Sequence, residues 1–295
     1  MKRLTLALVV LLAFVFAGVA QADTGDGTFV MRCNPTANFQ EDPIVMPGPL
    51  GTLSAHTHTF SGNTTTRSDS TYESMQAGGS SCRFTKDTAG YWFNSLIDPN
   101  GNVVNPRFTF FYYKNMPVGY RTTTPFPPDL RMVIHDGNAN TGFWDCFDNN
   151  PPGQFTTSIP RCTTDDLQVR LKSPNCWDGV NLDTVTKDMS GIDRPSINPY
   201  TGAGYPNDHI SHVVKFTSNA CPSHHPVKLP MGNFFVRWAP PAGGPGWHLS
   251  DGSLSLHFDF WNTWQQPFLD QLVSKCLSPV GKNCGQVTDA NFAGL

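Results

Sequence analysis

Apolar and polar positions alternate in short runs along most of the chain, the period-two pattern of strands with one buried face. Thr28–Arg32 (TFVMR), Phe108–Tyr113 (FTFFYY), Leu130–His135 (LRMVIH), Leu167–Leu171 (LQVRL), Ile210–Phe216 (ISHVVKF), Phe234–Trp238 (FFVRW) and Leu254–Phe260 (LSLHFDF) are rich in β-branched and aromatic residues and predict strands. Turn clusters at Pro99-Asn100-Gly101, Asp136-Gly137-Asn138, Pro151-Pro152-Gly153 and Pro240 to Gly246 bound them. Helical spacing is clear in Pro267–Cys276, where Phe268, Leu269, Leu272 and Val273 fall on one side and Pro lies near the start. The irregular stretch Asp183–Asp208 reads as a long surface loop. The expected fold class is all-β with few short helices, a loop-rich, disulfide-stapled β-sandwich of jelly-roll type.

Composition narrows the classes. Charged residues make up 15% of the 295-residue chain, against roughly 25% in an average soluble domain. Glutamate occurs twice, at Glu41 and Glu73, too rarely for a coiled coil or helical repeat. The 21 Phe, 7 Trp and 7 Tyr exclude a disordered chain. A formal net charge of −3 gives no reason to expect a nucleic-acid partner.

Lys2 and Arg3 precede an apolar run from Leu4 to Val19, followed by Ala20-Gln21-Ala22. That is the pattern of a signal peptide, expected over residues 1–22. Residues 23–295 are then one secreted β-rich domain, monomeric and free of the membrane after cleavage. Cys33, Cys82, Cys146, Cys162, Cys176, Cys221, Cys276 and Cys284 form an even set outside the leader, without a C-x-x-C pair. An even set in an exported chain reads as disulfides. The favoured pairing joins sequence neighbours: Cys33–Cys82, Cys146–Cys162, Cys176–Cys221 and Cys276–Cys284.

Seven of the nine His lie in clusters. In an extended segment positions i and i+2 share a face, so His56 and His58 project together. In Leu256–Asn262 (LHFDFWN), His257, Asp259 and Trp261 line one face and Leu256, Phe258 and Phe260 the other. In Asp208–His212, Asp208 and His212 share a face. Imidazoles beside carboxylates can move protons near neutral pH, so His56, His58, Asp208, His212, His257 and Asp259 are the catalytic candidates. Two His on one strand with a third from another can also hold a metal. The expected cofactor set is none, with a divalent metal on His56, His58 and His257 as the alternative. Asp178, before Gly179, reads as a turn, and Glu73 stands outside these clusters. Most Trp fill the core. Trp261, Trp247 and Trp177, with Asn262, are the candidates for holding a sugar ring. The chain has no G-x-S-x-G elbow, no H-E-x-x-H helix and no glycine-rich nucleotide loop.

Seven motifs in order carry a family resemblance: His56-x-His58-x-Phe60-x-Gly62, Tyr91-Trp92, Tyr112-Tyr113, Cys176-Trp177-Asp178-Gly179-Val180-Asn181-Leu182-Asp183, Asp208-His209-x-Ser211-His212-Val213, Cys221-Pro222-x-His224-x-Pro226-x-x-Leu229-Pro230 and His257-x-Asp259-Phe260-x-Asn262-x-Trp264. Together they resemble the secreted family catalogued as domain of unknown function number nineteen ninety-six. The chain departs from the family pattern at Asp188–Asn207, which reads as an insertion. Some fungal members carry WSC carbohydrate-binding modules, so the resemblance implies a polysaccharide ligand. The leading expectation is a secreted carbohydrate-active enzyme that cleaves an extracellular polysaccharide by His/Asp acid–base chemistry. The alternatives are a non-catalytic polysaccharide-binding or cell-surface module and a metal-dependent hydrolase using the His-x-His pair.

Overall fold

The computed structural model describes residues 27–116, 122–135, 139–147, 154–183, 212–216, 219–277 and 282–295. The first half of the chain supplies β1 (Thr28–Cys33), β2 (Pro35–Phe39), β3 (His58–Gly62), the short helix α1 (Tyr72–Gln76), β4 (Gly90–Asn94), β5 (Leu96–Ile97), β6 (Val103–Val104), β7 (Phe108–Lys114), β8 (Arg131–Ile134) and β9 (Gly142–Cys146). The second half adds β10 (Gln154–Thr156), β11 (Leu167–Lys172), β12 (Cys176–Trp177), β13 (Val213–Val214), β14 (Val227–Lys228), β15 (Met231–Trp238), β16 (His248–Leu249), β17 (Phe258–Trp261), the helix α2 (Gln266–Leu272) and β18 (Asn283–Gln286).

Two sheets dominate. One has seven strands in the order β10-β9-β11-β15-β7-β1-β18; the other has five, β2-β3-β4-β17-β8. The alternation seen in the sequence decides which side of each sheet is buried. In β7, Thr109, Phe111 and Tyr113 are buried while Phe108, Phe110 and Tyr112 are half-exposed. In β17, Phe258 and Phe260 face the main core. The two inner faces meet through aromatic rings. Tyr91 stacks on Phe111 at 3.7 Å between ring centres, and Phe258 stacks on Phe234 at 4.6 Å. Such contacts add to the area term that drives burial. The result is a β-sandwich with far more strand than helix, as the pattern predicts. Gly62 ends β3 at φ 77°, where an added Cβ would lie 2.3 Å from the Ala89 carbonyl oxygen.

All four disulfides join sequence neighbours, as expected. Cys33–Cys82 ties β1 to the loop before β4, and Cys276–Cys284 ties the end of the helical segment to β18. The expected helix is α2, continued by one π-helical turn over Val273–Leu277. Among the described residues no helix is long and apolar enough to cross a membrane.

Two strands are shorter than the sequence suggests. The Ile210–Phe216 run yields β13 alone, and Ile210 and Ser211 lie outside the described residues. The Leu254–Phe260 run becomes strand only at Phe258. Before that point the Asn94 side chain replaces a ladder partner: Nδ2 donates to the Ser255 carbonyl, and Oδ1 accepts from His257 N–H. His257 therefore sits on the lead-in, just outside β17.

Phe258 has no solvent exposure and touches rings from both sheets. Phe258→Ala is expected to cost about 3–5 kcal/mol, read as a lower denaturant midpoint with the disulfides intact. A loss under about 1 kcal/mol would show that the sheets are not joined there.

Candidate metal centre

The site forms on the outer face of the five-stranded sheet. Register places His58 and Phe60 of β3, Trp92 and Asn94 of β4, Asp259 and Trp261 of β17, and Arg131 and Val133 of β8 on that face. The chain between β2 and β4 covers it, and Ile44 and Met75 join Phe60, Trp92 and Trp261 in a second apolar cluster.

At the β3 end three imidazoles converge. His56 Nε2 and His58 Nε2 each lie 3.1 Å from His257 Nε2. The backbone around His56 is held from three sides. Ser54 Oγ donates to the His56 carbonyl, and Ser250 Oγ and Ser95 N–H donate to the Thr57 carbonyl. Two carboxylates stand behind the rings: Asp42 Oδ2 is 3.9 Å from His58 Nε2, and Asp259 Oδ2 is 3.9 Å from His257 Nε2. Asp251 Oδ2 lies 3.7 Å from His257 Nδ1 on the outer side.

Tautomers sharpen this geometry. The Glu41 carbonyl lies 2.9 Å from His58 Nδ1 and can only accept, so His58 Nδ1 carries the proton. In the neutral ring Nε2 is then a bare lone pair. Glu41 is itself pinned: its carboxylate takes Arg67 Nε and the Ser68 N–H. The Arg67 bond outweighs burial and holds that carboxyl at about 2. His257 Nδ1 faces the Asp251 carboxylate at 3.7 Å, a charge that favours the proton on Nδ1 and the lone pair on Nε2. Burial alone would raise the Asp251 carboxyl, yet the His257 side chain pulls it below the usual range. Lone pairs 3.1 Å apart repel unless something positive lies between them. Burial, helped by the neighbouring imidazoles, lowers the pKa of His58 well below 6.5. Burial and His257 also lower that of His56. A proton is thus a poor bridge, and neutral rings are what a metal ligates.

The carboxylates differ. Asp42 accepts N–H bonds from Ile44 and Val45. Asp259 has no exposure, and neither of its oxygens has a hydrogen-bond partner among the described residues. Burial, with Asp42 nearby, raises its pKa well above the ordinary value. A carboxyl of this kind calls for a missing partner. One ligand atom from each of His56, His58 and His257 lies within 4.8 Å of the others, and the same holds for Asp42, His58 and Asp259. Nitrogens sharing a tetrahedral ion with bonds of ~2.0–2.1 Å sit about 3.3 Å apart, close to the spacing here.

The other candidates fall elsewhere. Asp208 lies outside the described residues, as does the 188–207 segment. His212 is buried beside Asp178 and the Arg131 backbone, and burial drops its pKa to about 4. It is not one of the three converging rings. Asp178 makes the expected turn, accepting from Val180 and Asn181 N–H. Trp261 is 1% exposed, its Nε1–H bonds Asp129 and the Arg131 guanidinium covers its ring at 4.1 Å, so it has no face open to a sugar. Asn262 is likewise enclosed, donating to the Phe126 and Pro127 carbonyls. Trp177 is half-buried and donates to the Asn181 carbonyl. Trp247 lines a cleft with Arg161, Pro241 and Pro245. Glu73 sits in the first turn of α1, away from the rings. Sequence reading missed Glu41, Asp42, Arg67 and Asp251. All four lie in loops, where no period marks a facing residue.

A family model described as a domain of unknown function matches residues 42–264, a span that holds every ring and carboxylate of the cluster. Neither the curated proteins nor the solved structures provide a match.

Burial that lowers His56, His58 and His212 sets a pH dependence. Their folded pKa values lie below the unfolded one, so below about 6.5 the unfolded chain binds more protons. The share of stability that these rings contribute is expected to shrink as pH drops from about 7 to about 5, while the raised carboxyls of Asp42, Asp87 and Asp259 act in the opposite sense. The stability difference between chelator-treated wild type and His58→Gln should therefore narrow over that range in urea titrations. A difference that does not change with pH would mean that the ring is not held neutral.

Proposed function

The chain belongs to the DUF1996 family, a domain of unknown function, and on that premise we propose that it is a secreted metal-dependent hydrolase of extracellular polysaccharide, with His56, His58 and His257 holding one divalent transition-metal ion. The observation that carries this reading is the convergence of three Nε2 atoms, two of them 3.1 Å from the third, with the His58 ring fixed as a lone-pair donor by the Glu41 carbonyl on Nδ1 and the His257 Nδ1 facing Asp251. The donor set suits zinc and its neighbours, which favour imidazole and carboxylate together.

Each residue has a role in this proposal. Asp259, enclosed on the sheet side, supplies the negative charge that a divalent ion needs in a buried setting. His58 is the inner ligand, oriented by the Glu41 carbonyl. His56 and His257 are partly exposed and form the solvent side, where a substrate approaches. Asp251 orients the His257 ring, as carboxylates behind metal-ligating histidines do. Held by these residues, a divalent ion would supply Lewis acidity and lower the pKa of a water toward neutrality. Direct nucleophilic attack by Asp259 is disfavoured because the carboxyl has no exposure. Four disulfides and the basic-then-apolar start support export. The polysaccharide class rests on the family resemblance.

Protein purified without chelator is expected to carry about one equivalent of a divalent transition metal. His58→Ala and His257→Ala should each lower metal affinity by at least about tenfold. Release of reducing ends from a glycan panel should stop with chelator and return with metal. Elemental analysis showing no stoichiometric metal would sink the metal centre. Full metal occupancy with glycan retention but no product would sink the hydrolase and leave a binding module.

A further inference from the structure

The outer face of the seven-stranded sheet is an array of aromatic rings and guanidiniums. One cross-strand row runs Arg32 (β1), Phe110 (β7), Phe235 (β15) and Arg170 (β11) by direct register. It continues through Phe143 (β9), under the Arg170 guanidinium at 3.7 Å, to Phe155 (β10), which pairs with Phe143 and is 60% exposed. A second row holds Phe108 and Arg237. Arg32 lies over Phe108 at 4.0 Å and Arg237 over Phe147 at 3.6 Å. Among the described residues, the strands of this sheet carry Arg32, Lys114, Arg170, Lys172 and Arg237 on that side, against Asp145 as their sole carboxylate. The whole chain is net negative, so this charge is local to the face.

We propose that this face binds a carboxylated polysaccharide, a polyuronate, along the row from Arg32 to Phe155. Stacking on a ring fixes a guanidinium plane and turns its edge outward, the geometry that takes a carboxylate in a bidentate grip. Strands ~4.8 Å apart place successive side chains of the row at nearly the length of one sugar in an extended chain. Arg32 and Arg170 are three strands apart, about 14 Å, so they meet carboxylates on sugars that are not neighbours. Half-exposed Phe110 and Phe235 lie between them; the Arg237 guanidinium stands 5.0 Å from the Phe110 ring centre, so Phe235 is the ring that offers apolar contact to C–H faces. Guanidiniums already cover Phe108, Phe143 and Phe147, which argues against a nucleic-acid platform, where bases need open ring faces. A sheet face with one strongly exposed ring, Phe155, among guanidiniums also differs from a membrane-inserting surface.

This face points away from the three-imidazole cluster, since the core lies between the sheets, and the inference survives failure of the metal reading. Affinity electrophoresis of the full chain in gels containing polygalacturonate tests it. Retardation is expected, weakening with salt and falling by about tenfold or more in Arg32→Glu/Arg170→Glu and in Phe155→Ala. Glu73→Gln, on α1 over the other sheet, should be retarded as strongly as the unaltered protein, and near-ultraviolet circular dichroism should show each variant folded. No retardation, equal retardation of the folded surface variants, or loss in Glu73→Gln would overturn the proposal. So would stronger retention by single-stranded DNA, cellulose or phosphatidylglycerol vesicles than by the uronate polymer.

Discussion

A carboxyl with no exposure and, among the described residues, no hydrogen-bond partner for either oxygen is the constraint around which the candidate site is built. Leaving such a group unpaired costs on the order of 1–3 kcal/mol or more. The chain does not neglect buried carboxyls in general. Asp87 is equally enclosed, yet it accepts from the Tyr91 hydroxyl and the Ala89 N–H. Asp42 has two N–H donors and Glu41 has Arg67. Asp259 alone among these has no N–H or O–H donor from the described residues, and it faces the His257 and His58 rings. A cation satisfies all of them at once. Replacing one member by an apolar group would relieve the cost, so its presence fits a group kept for chemistry at the expense of stability.

The sandwich makes that cost tolerable. Phe258 and Phe260, on the other side of the same short strand, are locked into the aromatic core. They fix the β17 backbone, and through it the direction of Asp259. Trp92 and Phe60 stack at 5.6 Å beside the carboxyl and keep water from it. The loop over the sheet adds the third support, with the Glu41–Arg67 clamp holding the carbonyl that sets the His58 tautomer. Ring orientation, tautomer and dryness thus come from three different segments, each anchored independently of the imidazoles.

Much of this was legible in period and spacing. The alternation of His257, Asp259 and Trp261 against Leu256, Phe258 and Phe260 places the residues on the correct sides of β17, because a sheet with one dry aromatic face permits no register slip. The four disulfides follow chain order: Cys146–Cys162 and Cys276–Cys284 close short excursions of 16 and 8 residues, while Cys33–Cys82 and Cys176–Cys221 close loops of 49 and 45 that hold further strands. The convergence of His56 and His58 with His257 was legible only as an alternative, because periodicity within strands says nothing about which strands are neighbours. What sequence could not show is the cover. Alternation marks Trp261 as facing away from the main core, and it does. The segment between β2 and β4 then encloses it, so a position that reads as a platform becomes the floor of a second cluster. Asp42, Glu41 and Asp251 reach the site from loops, and only the folded chain brings them there.

The charges are divided between the two outer faces, and this division limits how the faces could cooperate. Glu41, Asp42, Asp251 and Asp259 gather at the His cluster, while Arg32, Arg170 and Arg237 gather on the opposite sheet. Sheets stacked ~10 Å apart, with side chains on both outer faces, put the two regions beyond the reach of any one sugar. A polymer held on the basic face cannot have the gripped sugar at the imidazoles. It can only raise the local concentration of other stretches of the same chain, the advantage that linked sites confer. Screening by salt acts on the exposed guanidiniums and far less on the buried carboxyl. The basic face would therefore govern capture, and the dry cluster would keep its own chemistry whatever the ionic strength.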